Sequence, residues 1–156
     1  MNENPYGASN FQVSIGGVPT AGFEECILPT VTIETTEYRQ GSDVENSVRK
    51  LPGLVRYGDL VLKRGLAPSA GALALWDWIQ GFAQGAGTSA LVTVTLLDGE
   101  RNATLQWSFA DSIPVKYVSP ALNGKVNAIA IESLVIAVGS MKVSAVGAQA
   151  PPPLQS

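Results

Sequence analysis

Apolar and polar residues alternate with the two-residue period of β-strands over most of this chain, and helical spacing is visible once. Phe11, Val13 and Ile15 alternate with polar neighbours and stop at Gly16-Gly17, which predicts a short strand entering a turn. The run from Val31 to Tyr38 is β-branched and places Val31 and Ile33 on one face, with Thr32, Glu34 and Thr36 on the other. Leu54 to Leu66 resumes the pattern, Leu60 and Leu62 opposing Val61 and Lys63, with a bend or bulge expected at Gly58. Leu91 to Leu97 and Ala103 to Phe109 flank Asp98-Gly99, a pair suited to a tight two-residue hairpin turn. Ile113 to Val118 predicts a further strand entered through Pro114, and Val126 to Val138 a long one covered on both faces toward its end.

The helix is expected to start at Ser69, whose hydroxyl suits a free amide there, and to end at Gly85 and Gly87. Leu73, Trp76, Ile79 and Phe82 are read as its core-packing stripe against a sheet. Roughly seven strands and one helix predict a mainly antiparallel β-barrel or sandwich with the helix across one opening.

Composition narrows the chemistry. Hydrophobic residues make up 46% of the 156 and charged residues 15%, enough to bury a single core. One domain is expected over 1–147, followed by a flexible Pro-rich tail over 148–156. A net charge of −3 gives no global attraction to nucleic acid or anionic lipid, so the expected partners are proteins. A single cysteine and no histidine remove internal disulfides, the commonest general base and the commonest metal ligand. No catalytic residue, metal site or cofactor is therefore expected. Met1 to Asn10 is polar and unlike a secretory signal, and no stretch approaches the ~20 apolar residues of a membrane span. Synthesis and assembly in the cytoplasm, without a membrane anchor, are expected.

Six of the ten basic residues (Arg39, Arg49, Lys50, Arg56, Lys63 and Arg64) fall between Tyr38 and Gly65, together with Asp43, Glu45 and Asp59. Such a polar excursion between two β-like runs reads as a contact device for an ordered partner surface. Lys63-Arg64 with Trp76-Asp77-Trp78 could also form a patch for nucleic acid, a reading that the acidic balance disfavours. Glu24-Glu25 and the pair Asp98 and Glu100 read as solvated charges rather than catalytic carboxylates. Cys26, followed by Ile27 and Leu28, reads as a small buried residue with a quiet thiol.

An ordered series of short strings then adds a resemblance. The pieces are Asn4-Pro5-Tyr6, Gly16-Gly17 with Ala21-Gly22-Phe23-Glu24-Glu25, Tyr38-Arg39-Gln40-Gly41 and Arg49-Lys50-Leu51-Pro52-Gly53. Leu62-Lys63-Arg64-Gly65, Leu75-Trp76-Asp77-Trp78, Trp107 to Phe109, Pro114-Val115-Lys116-Tyr117 and Ile131-Glu132-Ser133-Leu134 follow. In this order and spacing, nearly the whole chain resembles the tail tube proteins of contractile-tailed phages and the inner tube proteins of contractile injection systems. Gln40, where an acidic residue is common, and the added Pro-rich ending depart from the pattern.

The resemblance implies a two-sheet antiparallel β-barrel with one α-helix, assembled into hexameric rings that stack into a tube. It implies a sheath protein around the tube, baseplate and terminator proteins at its ends, and effector cargo in the lumen, within a phage-tail-like particle that is extracellular or membrane-attached. The excursion from Tyr38 to Leu54 corresponds to the family's extended loop, so Arg39, Asp43, Glu45, Arg49 and Lys50 become the candidates for contact between rings. The competing expectations are a β-barrel binding module with a basic loop, which stays monomeric, and a tube-initiating adaptor ring.

Overall fold

The computed structural model describes residues 10–20, 22–39, 41, 48–66, 73–125 and 129–146. The strands are β1 (Phe11–Ile15), β2 (Val18–Thr20), β3 (Phe23–Ile27), β4 (Val31–Tyr38), β5 (Arg49–Tyr57), β6 (Asp59–Gly65), β7 (Ala90–Leu97), β8 (Ala103–Val118), β9 (Ile131–Ala137) and β10 (Ser140–Ala145). One helix, α1 (Ala74–Ala83), lies between β6 and β7.

All pairings are antiparallel, and β8 joins two layers. Its first half pairs with β7 and β10, extending a layer ordered β2-β1-β7-β8-β10; its second half pairs with β9, extending β8-β9-β6-β3. The strand that the sequence splits at Pro114 is thus one 16-residue element bent at its middle. Asp111 takes a positive φ of 52° at the corner, and the Ser112 hydroxyl, fully buried, donates to the Phe109 carbonyl at 3.0 Å. Gly139 sits where the β9–β10 bend crosses this corner. A Cβ there would lie 2.9 Å from the Ala110 carbonyl oxygen, so only glycine fits.

Between the layers lie Val13, Leu60, Leu62, Val92, Val94, Phe109, Leu134 and Ile136, joined by Leu75 of α1. Each strand contributes alternate positions, as a half-buried sheet requires. The predicted closed barrel is not found: among the described residues β2, β10 and β3 end their layers without a further neighbour. Alternation specifies which residues share a face, whereas closure depends on strand number and stagger.

Other expectations need correction. The Asp98-Gly99 turn is a longer loop: the Arg101 amide donates to the Asp98 carbonyl at 3.0 Å, and the Asp98 amide to the Asn102 carbonyl at 2.9 Å. Positive φ falls on Arg101 (65°), while Asp98 Oδ1 accepts from the amides of Glu100 and Asn102 at 2.9 and 2.8 Å. That is the three-residue hairpin built on a type I turn, held by an aspartate side chain. The run from 54 to 66 is two strands divided at Gly58, whose amide donates to the Thr30 carbonyl at 2.8 Å. The described strand within Val126 to Val138 is β9 alone.

Helix α1 ends as expected at Gly85, φ +78°. The Ala86 amide donates to the Gly81 carbonyl at 2.9 Å and the Gly85 amide to that of Phe82 at 3.0 Å, the paired bonds of a Schellman cap. Ser69, the expected start, and 148–156, the expected tail, lie outside the described residues, as does the Asn4-Pro5-Tyr6 string. The core-facing stripe is shifted from the expected one: Leu75 is fully buried and Trp78 and Ile79 pack beside it, whereas Leu73 is 63% exposed and Trp76 is also exposed. Leu73, Trp76, Ile79 and Phe82 advance by three residues, and at about 100° per residue this spacing swings through half a turn between its ends. Leu75, Trp78 and Ile79 follow the true i, i+3, i+4 period.

The two leucines separate these stripes. Leu75→Ala should cost about 2–5 kcal/mol. Leu73→Ala should stay within about 0.5 kcal/mol. Urea denaturation of the two variants gives both values, and equal losses would place the helix in the other phase.

Candidate functional site

Two regions concentrate the charged and uncovered residues, and they differ in kind. The first is interior. In β6 and β9 the inward alternation continues from Leu60 and Leu62 to Arg64, and from Ile136 and Leu134 to Glu132. The two charged residues are direct cross-strand partners. They meet with Arg64 Nε 2.5 Å from Glu132 Oε1, at 5% and 1% exposure. The Tyr117 hydroxyl donates to the second carboxylate oxygen. The Arg64 guanidinium stands 5.9 Å from the centre of the Phe23 ring, and Trp76 meets Tyr117 edge-on at 5.5 Å.

One charge pair thus links β3, β6, β8, β9 and α1. Burial, first, then the bond to Glu132 and that group's negative charge push the Tyr117 hydroxyl up to about 12, against a smaller lowering by Arg64. Tyr117 remains a donor to the carboxylate throughout the physiological range. This network corrects the reading of Arg64 as a contact charge, and with it the nucleic-acid patch built on Lys63-Arg64. The alternation Leu60-Leu62-Arg64 carried the signal.

The second region is the β4–β5 hairpin, a two-stranded sheet apart from the two layers. Every residue from Val31 to Glu37 and from Arg49 to Arg56 is exposed, including Val31, Ile33, Leu51, Leu54 and Val55. An isolated two-stranded hairpin is at best marginally stable in water, and this one presents a surface that nothing among the described residues covers.

Of the candidate contact residues, Arg49 and Lys50 belong to β5 and lie opposite Tyr38 and Glu37. Arg39 follows β4 and is exposed. Asp43 and Glu45 lie outside the described residues. The sequence placed the excursion between two strands. β4 ends at Tyr38 as expected, while β5 begins at Arg49, inside the excursion, so that the charges stand at the far end of the hairpin. Arg56 and Glu34, further down the hairpin, form an exposed ion pair.

A groove opens beside the end of β3. It encloses about 360 Å3 and is lined by Phe11, Cys26, Leu28, Leu96 and Trp107, with Glu24 and Glu25 as its charged residues. Glu25 also faces Lys63 at 3.6 Å. Burial pushes the Cys26 thiol up to about 12, in line with a quiet packing residue. Among the described residues no cluster of three metal-ligating side chains occurs, and no helix is long and apolar enough to cross a membrane.

Comparison with known proteins agrees with this reading of the architecture. The model of the T4-like virus tail tube protein gp19 family matches residues 7–142. A chain from the sheath-tube complex of the extracellular contractile injection system PVC in its extended state superposes with a TM-score of 0.79 at 23% identity, covering 92% of this chain and 94% of that one. A chain of the anti-feeding prophage tube-terminating cap gives 0.81 at 18%, covering 93% and 94%. One from the anti-feeding prophage baseplate gives 0.75 at 21%, covering 94% and 99%. At these identities the likeness establishes the fold. No curated protein matches the sequence.

Removing one partner of the interior pair leaves the other charge buried and unmatched. Arg64→Met should therefore cost about 3–5 kcal/mol, while Arg64→Met with Glu132→Leu should recover most of it. Chemical denaturation of the single and double variants checks this; a double variant no better than the single one would show that the pair is not the unit that matters.

Proposed function

This chain belongs to the T4-like virus tail tube protein gp19 family, and on that premise we propose that it is the structural subunit of the inner tube of a contractile injection system. In this reading six copies close into a ring, and rings stack into a tube around a lumen that carries effector cargo. Contraction of a surrounding sheath drives the tube through a target envelope. Baseplate and terminator proteins bound its two ends, and the assembled particle is phage-tail-like. The subunit itself has no catalytic role and carries no cofactor.

The observation that carries the proposal is the β4–β5 hairpin, exposed along its whole length and held in a separate two-stranded sheet. The layer ends at β2, β3 and β10 add backbone groups that neighbouring strands could pair. Cyclic closure can satisfy such edges while limiting growth sideways, and head-to-tail stacking can then extend along one axis. The structures with the same fold come from a sheath-tube complex, a tube cap and a baseplate.

Arg39, Asp43, Glu45, Arg49 and Lys50 act at the contact between rings. As rim charges each is worth about 0–1 kcal/mol, but six copies act together at every ring junction. Exchanging Arg49 and Lys50 for serine should leave rings intact and shorten tubes, with the effect of the charges fading as salt rises. Negative-stain imaging with sedimentation separates the outcomes. A monomer that merely loses a ligand on the same exchange would mark a binding module instead.

A further inference from the structure

The groove beside β3 continues toward the strand from which the chain's last residues depart. Directly opposed residues of an antiparallel pair share a face, so the row through Val94 and Trp107 ends at Val143, and the row through Leu96 and Leu105 at Ala145. Val94 is buried and Trp107 half-buried, whereas Val143 is 49% exposed. The uncovered part of this face therefore runs from the groove's Trp107 wall onto β10, which residues 147–156 follow.

We infer that Pro151 to Leu154 lie across the groove of their own copy as an extended polyproline segment, with Pro151 against Trp107 and Leu154 against Phe11. The reach suffices. At the end of β10 the Val146 amide donates to the Thr104 carbonyl at 2.8 Å. Trp107 lies three places further along β8, about 10 Å, and one strand spacing, about 5 Å, from β10. Five residues from Gly147 to Pro151 span up to about 17 Å, and Gly147 meets the turn-back with no Cβ to clash. The spacing also fits. Polyproline rises about 3.1 Å per residue with three residues per turn, so Pro151 and Leu154 share a face about 9 Å apart. Phe11 on β1 and Trp107 on β8 have β7 between them, a separation of two strand spacings, about 10 Å.

The chemistry agrees with the geometry. Ala150, Pro151 and Pro152 each precede a proline, which holds them extended before they dock and so lowers the entropy lost on docking. Such preformed segments seat on grooves lined with aromatic rings, here Phe11 and Trp107. At about 360 Å3 the groove has more than twice the roughly 150 Å3 that admits a benzene-sized group, room for the two side chains. No residue from 147 to 156 is charged, and Glu25 at the rim already faces Lys63, so the seat needs no counter-charge. The family's model stops at residue 142, which makes this seat an addition of the present chain. An open apolar groove on every copy invites unrelated contacts; covered by its own chain, it leaves the hairpin and the layer ends as the surfaces between copies.

Cys26 is the chain's one cysteine and lines the groove, so its reaction with N-ethylmaleimide, followed by intact mass, reports whether the groove is covered. In dispersed subunits, exchanging Pro151, Pro152, Pro153 and Leu154 for serine should speed that reaction at least about tenfold at fixed pH. Protection in the unsubstituted protein should not change on dilution, because the segment is tethered to its own groove. Leu28→Cys with Cys26→Ser repeats the comparison from a second position in the groove should the Cys26 thiol react too slowly to follow. Equal rates with and without the serine exchanges would mean that the segment stays out of the groove, and would overturn the inference. Protection that fades on dilution would overturn it too, by giving the groove to a second copy. Neither result bears on the tube reading, which rests on the hairpin and the layer ends.

Discussion

Backbone amides and apolar side chains taken out of water need partners, and this chain supplies them for its body but not for its margin. The two layers joined by β8 enclose a continuous core. The β4–β5 hairpin has only its own two strands, and the layer ends present further unpaired edges among the described residues. Edges and apolar hairpins of this kind are hazards in a protein meant to stay alone. In the proposed tube they have a use, because identical copies can cover one another's margins.

The body must stay rigid for that arrangement to be accurate, and the buried Arg64–Glu132 pair serves rigidity more than net stability. An ion pair taken out of water recovers little beyond its desolvation cost, so its contribution lies in what it makes definite. Arg64 and Glu132 face each other in one register only; slipping β6 against β9 by one residue would turn one of them to the outer face and leave the other buried without its partner. Tyr117 and Trp76 extend that definition to β8 and α1. A tube subunit needs the same shape in every copy, and this network is suited to secure it.

Much of the fold was legible wherever one face of a strand is buried. β1, β4 and the β7–β8 hairpin were all apparent from alternation. The unity of β8 was not, because a proline normally weakens a central strand, and Pro114 is tolerated here beside a register shift. β2, β3 and β10 escaped notice because their residues are mostly exposed or half-buried, so that no alternation marks them. The charge cluster drew attention to Arg49 and Lys50, which stand exposed on the hairpin, and wrongly to Arg64, whose phase in β6 already pointed inward. The groove was invisible in the sequence because it is assembled from β1, β3, β7 and β8, and only the packing of the layers brings these together.

Amide hydrogen exchange along the hairpin tests the central claim most directly, measured on dispersed subunits and on the assembled protein. Residues 31–38 and 49–57 should exchange within a small factor of unstructured chain when dispersed and become strongly protected on assembly, while core amides of β6 and β9 stay protected in both states. Dispersed monomers with a fully protected hairpin, unchanged at every concentration and salt, would contradict the account: the margin would then be complete without its neighbours.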